Sequence, residues 1–160
     1  MRCKFLLLLI INLLFFWPAL SDTMLKGFEA YNNKDYISAY NTWLPLAESG
    51  DAIAQSNLGI MFKNGEGVSQ NYEKSFKWFS LSAKQGYVFA QTLLGHMYEN
   101  GYGVQKSDID AYMWFYLAAS KHDPDGIILL GLIQKNMSET EIIKAKEKAT
   151  QCMINNFNGC

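Results

Sequence analysis

Apolar residues recur along this chain at helical spacing. Ala54, Leu58, Met61 and Phe62 fall three or four apart, and after an intervening polar stretch Phe76, Phe79 and Ala83 do the same. Such stripes bury one side of a helix and leave the other in water, so the two together predict an αα-hairpin. The pattern then returns: Asp51 to Gly86 realigns on Tyr87 to His122 at an offset of 36 residues with thirteen identities. Among them are Ala54/Ala90, Gln55/Gln91, Leu58/Leu94, Gly59/Gly95, Met61/Met97, Trp78/Trp114, Phe79/Phe115 and Ala83/Ala119. A constant period of this length is the signature of a stacked helical repeat.

The segment joining the two helices of a unit reads Asn64-Gly65-Glu66-Gly67-Val68 in one copy and Asn100-Gly101-Tyr102-Gly103-Val104 in the next. Its glycines suit positive φ, which stops the first helix and starts the crossover. No strand precedes it and no Lys-Ser/Thr follows, so it does not read as a phosphate cradle. Gly59 and Gly95 lie inside helices, where glycine costs about 1 kcal/mol relative to alanine. They are expected at a close helix contact opposite Ala83 and Ala119. Trp78, Phe79, Trp114 and Phe115 are expected to fill the space between neighbouring hairpins as core.

The pattern Ala-Gln-x-x-Leu-Gly-x-Met-Phe-x-Asn-Gly-x-Gly-Val, followed by Trp-Phe-x-Leu-x-Ala, resembles the Sel-one-like repeat (SLR) family, a relative of the tetratricopeptide repeats. The resemblance is strong over residues 51–122. It continues as a partial copy through Gly126, Leu130 and Gly131, which follow Ala90, Leu94 and Gly95 by 36 residues. Upstream, Tyr36, Ala39, Tyr40, Trp43 and Ala47 stand 36 residues ahead of Tyr72, Ser75, Phe76, Phe79 and Ala83, with a connecting loop about five residues shorter. Past Ile133 the loop motif is missing. Ser138 and Glu141 instead form a capping-box signature ahead of a last amphipathic helix, with Ile142, Ile143, Ala145, Ala149 and Met153 on its apolar side.

The fold class expected is therefore all-α, an αα-hairpin solenoid closed by a C-terminal capping helix. The expected divisions are a partial copy at 24–50, copies at 51–86 and 87–122, a truncated copy at 123–136 and a cap helix at 138–154, all within a repeat domain of residues 22–160.

Ahead of that domain, Arg2 and Lys4 precede an apolar run from Phe5 to Trp17 and then Pro18-Ala19-Leu20-Ser21. This is the layout of a secretory signal peptide, too short for the roughly 20 residues of a membrane span. Cleavage is expected between Ser21 and Asp22, which places the chain in the periplasm or outside the cell with no stable membrane span. Removal of residues 1–21 leaves 12 lysines against 15 acids, a net charge near −3, which argues against nucleic acid as a partner. It also leaves two cysteines, Cys152 and Cys160, an even pair in an exported chain and hence an expected disulfide. Neither a metal site nor a cofactor is expected.

By resemblance to tetratricopeptide domains, the first helices of the units line a concave face. The positions expected there are Ile53, Ser56, Ile60 and Lys63 in one copy and Phe89, Thr92, His96 and Glu99 in the next, with Asp125, Ile128 and Leu132 added by the third. Mixed apolar and polar side chains on such a face suit a peptide or a partner helix. The expected function is a non-catalytic protein-protein interaction scaffold or adaptor in the bacterial envelope. The alternative is a hydrolase, because a related family of cysteine-rich repeat proteins has β-lactamase-like activity. That family staples each hairpin with a cysteine pair, however, and none lies inside these repeats. His96 and His122 lack a nucleophile at triad spacing. Asp108/Asp110 and Asp123/Asp125 flank helix starts, where carboxylates favour the helix dipole.

Overall fold

A computed structural model describes residues 22–160, so the expected signal segment lies outside the described residues. Residues 22–32 form α1. Then come α2 (Tyr36–Glu48), α3 (Ala52–Asn64), α4 (Tyr72–Lys84), α5 (Val88–Asn100), α6 (Asp108–Ala119), α7 (Pro124–Ile133), a 3-10 turn (Gln134–Asn136) and α8 (Glu139–Ile154). Each helix packs chiefly on its chain neighbours through α7, while α8 folds back onto α6. The architecture is an all-α repeat solenoid. The odd-numbered helices α1 to α7 are the A helices of successive hairpins, and α2, α4 and α6 are the B helices.

Side chains at the helix starts explain where the chain breaks. Asp35, Asp51, Asn71, Ser107, Asp123 and Ser138 each accept a hydrogen bond from a backbone N–H in the first turn of the helix that follows, satisfying donors that the helix itself leaves unpaired. Ser138 and Glu141 complete the capping box. At the other end of α3 and α5, Gly65 and Gly101 take left-handed conformations at φ 75° and 71°. The second loop glycine has a different duty: a Cβ on Gly103 would stand 2.2 Å from the carbonyl oxygen of Tyr72. The loop after α5 therefore rests directly on the first turn of α4, and there Tyr102 stacks on Tyr72 with ring centroids 4.7 Å apart.

Within each hairpin the contact is a glycine under an aromatic ring. A Cβ on Gly59 would come within 2.5 Å of the Phe79 ring, and one on Gly95 within 2.5 Å of Phe115. In the first hairpin the same joint is made by Gly27 and Trp43, with 2.1 Å between a Cβ and the indole Nε1. Trp43, Phe79 and Phe115 are fully buried as a result. This corrects the expectation that Ala83 and Ala119 face the helical glycines, since the rings one turn earlier do. Phe79 and Phe115 also fill the space toward the following elements, as expected, Phe79 clustering with Ala90, Leu94 and Met97 of α5 and Phe115 with Ile133 of α7 and Ala145 of α8. The absence of a side chain on the A-helix glycine is what lets a flat ring lie against its backbone.

Buried polar groups tie one hairpin to the next. Gln55 donates to the Ala47 carbonyl at 3.0 Å and Gln91 to the Ala83 carbonyl at 3.2 Å, each closing the C-terminus of the preceding B helix. Inside the α3–α4 hairpin itself, Ser75 Oγ donates to the Gly59 carbonyl at 2.7 Å. The two glutamine bonds explain why Gln at this position repeats although it is almost wholly buried: each amide finds an acceptor in the preceding B helix, whose carbonyl also accepts from the Gly50 or Gly86 N–H.

The last helix is seated by small residues. Ala145, Ala149 and Cys152 are buried on α8, Ala149 and Cys152 against Met113, Trp114 and Leu117 of α6, and Ala145 with Ala111, Phe115 and Ile133. Ile143 and Met153 are exposed, so the apolar side is narrower than the one expected. Lys148 pairs with Asp110 across the same contact. The Cys152–Cys160 disulfide closes the tail onto α8, with Cα atoms 5.4 Å apart.

Candidate functional site

The A helices hold the residues expected to meet a partner, and the structure separates them into exposed, half-buried and buried groups. Ile53 and Phe89 sit in the first turns of α3 and α5 and remain 38% and 45% exposed. Ile60, Lys63, His96 and Glu99 are half-buried further along the same helices. Ser56 and Thr92 do not join them: both are buried, which corrects their assignment to an open groove. Thr92 Oγ1 donates to the Asp123 carboxylate at 2.9 Å, and this carboxylate also caps α7, so the side chain is a joint between units. Ser56, one period earlier, has no such acceptor because Tyr87 occupies the capping position that Asp123 holds. Asp125, Ile128 and Leu132 on α7 are exposed.

His96 sits edge-on to the Phe115 ring, centroids 5.3 Å apart, and its Nδ1 lies 3.2 Å from Glu99 Oε2. A half-exposed pair of this kind supplies charge and hydrogen bonding at the mouth of the hairpin. No serine, cysteine or threonine is among the described hydrogen-bond partners of His96. No group of three or more His, Cys, Asp or Glu side chains could hold a metal ion among the described residues.

A recess of about 240 Å³ opens between α1, α2 and α3, lined by Phe28, Tyr31, Asn32, Trp43, Asn57 and Ile60. Apart from Ile60, none of these is expected at a site from sequence, where Trp43 marks only a repeat position. The spacing of Met24, Phe28 and Tyr31 along α1 carried the signal, but the irregular first copy obscured it. Tyr31 donates its phenol proton to Glu66 Oε2 at 2.7 Å, which anchors the loop after α3 to α1. Burial, reinforced by that bond, pushes the Tyr31 phenol well above its ordinary range, so it stays a donor at physiological pH. The recess thus combines an aromatic wall with the exposed Asn32 and the Asn57 amide, whose Nδ2 is buried, a lining that suits a peptide side chain better than a charged metabolite.

The comparisons with known proteins agree with this architecture. The Sel1 repeat model matches residues 52–87 and 88–123. A crystal structure of a protective antigen present in uropathogenic Escherichia coli strains, displaying an SLR fold, superposes with a TM-score of 0.80 at 22% identity, over 86% of this chain and 31% of its own. A Sel1 repeat protein from Oxalobacter formigenes gives a TM-score of 0.68 at 26% identity, over 80% of this chain and 55% of its own. This chain thus spans about a third of the first structure and about half of the second. No curated protein matches significantly. Two consecutive repeats of one family model, set in an all-helical array shared with solved proteins of that repeat type, make this chain a Sel1-like repeat protein.

Proposed function

We propose that the chain is a non-catalytic interaction scaffold of the bacterial envelope that holds a peptide or protein segment along its A-helix face. The observation that carries this reading is the contrast between copies. Most of the large side chains buried in the stack repeat, as Leu58/Leu94 and Phe79/Phe115 do, whereas the exposed and half-buried A-helix positions differ: Ile53 against Phe89, Ile60 against His96, Lys63 against Glu99. Packing constrains the first set in every unit and releases the second for recognition. Phe89 adds an exposed aromatic of the kind that anchors partners. The Cys152–Cys160 bridge fits an extracytoplasmic location, and no described helix is long and apolar enough to cross a membrane.

The charge exchange Lys63→Glu with Glu99→Lys tests the site. It keeps net charge and alters two half-buried side chains at the ends of α3 and α5. Helical circular dichroism and the melting midpoint are expected to stay unchanged, while affinity for a protein captured from envelope extract falls about ten-fold or more. Unchanged affinity, with loss only on substitution of Glu66 and Tyr102, would move the site to the loop edge.

A further inference from the structure

Each of the four A helices carries a glycine at the same register, and three of these are covered. Gly27 lies under Trp43, Gly59 under Phe79 and Gly95 under Phe115, each ring supplied by the next B helix. The fourth, Gly131 on α7, has nothing within 4 Å of a Cβ among the described residues. The residue 36 positions after Phe115 is Gln151, on α8, and α8 sits against α6. We propose that the uncovered face of α7 centred on Gly131, including the Asp125, Ile128 and Leu132 positions, is a second docking site, apart from the α3 and α5 part of the A-helix face, and that it receives an amphipathic helix of another protein and seats its Phe or Trp ring on the glycine.

The residues around Gly131 are those of a buried joint left open. Gln55 and Gln91 are 4% and 0% exposed, but Ile127, their equivalent, is 52% exposed. Ser56 and Thr92 are 1% and 5% exposed, but Ile128 is 60% and Leu132, after His96, is 49% exposed. From Gly126 to Ile133 no side chain is polar. The end of a stacked array requires a polar outer surface if water is to cover it, and this one is apolar. The ends of the stripe are charged, Asp125 at the start and Lys135 just beyond the finish, both exposed. A B-type helix runs antiparallel to its A helix, so the occupant that fits carries an acid in its first turn and a base in its last. Helix α4 has that arrangement, with Glu73 and Lys84. Among the described residues a second copy of this chain offers no free ring in the register, because Trp43, Phe79 and Phe115 are 1%, 0% and 0% exposed under their own glycines. The occupant is therefore a different protein.

A fluorescent peptide spanning Asn71 to Gln85, the chain's own α4 with its capping residue, serves as the probe. It is titrated against the purified chain and against Gly131→Leu, which fills the notch where space is open; far-ultraviolet dichroism and melting check that the fold is kept. Saturable binding is expected, weakened about ten-fold or more by Phe79→Ala in the peptide and equally by Gly131→Leu in the chain. The Lys63→Glu, Glu99→Lys exchange should leave peptide binding unchanged, which separates this site from the groove. Absence of saturable binding, or equal affinity for Gly131→Leu, would overturn the proposal. So would a sedimentation profile in which the chain alone is a dimer that Gly131→Leu splits, because the occupant would then be a second copy.

Discussion

Replacing Gly95 with valine is expected to lower the stability of the chain by about 3 kcal/mol, the upper end of the usual cost of overpacking a core. A Cβ alone would stand 2.5 Å from the Phe115 ring, and that ring is fully buried, so it has no open space into which to turn. Valine adds two more carbons at the same point. The gain in helix propensity over glycine, a few tenths of a kcal/mol, is too small to offset this. Gly131→Ala makes the matched control: the position is equivalent, the space is empty, and the substitution should raise stability by about 0.5–1 kcal/mol. Equilibrium denaturation of both variants decides the matter. Shifts of the same sign would show that the ring-on-glycine contact does not hold the hairpins together.

Gly103→Ala is expected to cost about 3 kcal/mol as well, for two reasons that act on one atom. At φ 67° the residue is left-handed, which costs a side-chain-bearing residue roughly 1–2 kcal/mol. The added Cβ would also lie 2.2 Å from the Tyr72 carbonyl oxygen, a backbone atom that no rotamer change moves aside. The loop must lift from α4 and the Tyr72–Tyr102 stack must part. Thermal melting of Gly103→Ala beside Tyr102→Ala separates the two effects: loss of the stack alone should cost about 1 kcal/mol. Equal shifts in the two variants would mean that the glycine only tolerates its conformation and makes no close contact.

Much of this fold could be read from the chain because stacking forces the same solution on every unit. The period of 36, the loop glycines and the capping box of Ser138 and Glu141 each have a local cause, and local causes leave a local pattern. The partner of the helical glycines did not show in the same way. Ala83 and Phe79 lie one turn apart on α4, and which of them meets Gly59 depends on the rotation of one helix against the other, which spacing alone does not encode. Ser56 and Thr92 were misplaced for a related reason. Small hydroxyl residues suit a groove and an inter-unit joint equally, and only the position of Asp123 reveals the joint. The recess between α1 and α3 depends on the irregular first copy, whose shorter loop breaks the register used to align the others.

The most direct test of the account is photo-crosslinking from a benzophenone side chain placed at Phe89 on the A-helix face, compared with one at Lys77 on the exposed side of α4. A discrete protein adduct is expected in envelope extract from position 89, abolished by the Lys63→Glu, Glu99→Lys exchange, and none from position 77. An adduct from position 77 alone, or one from position 89 that survives the exchange, would contradict it.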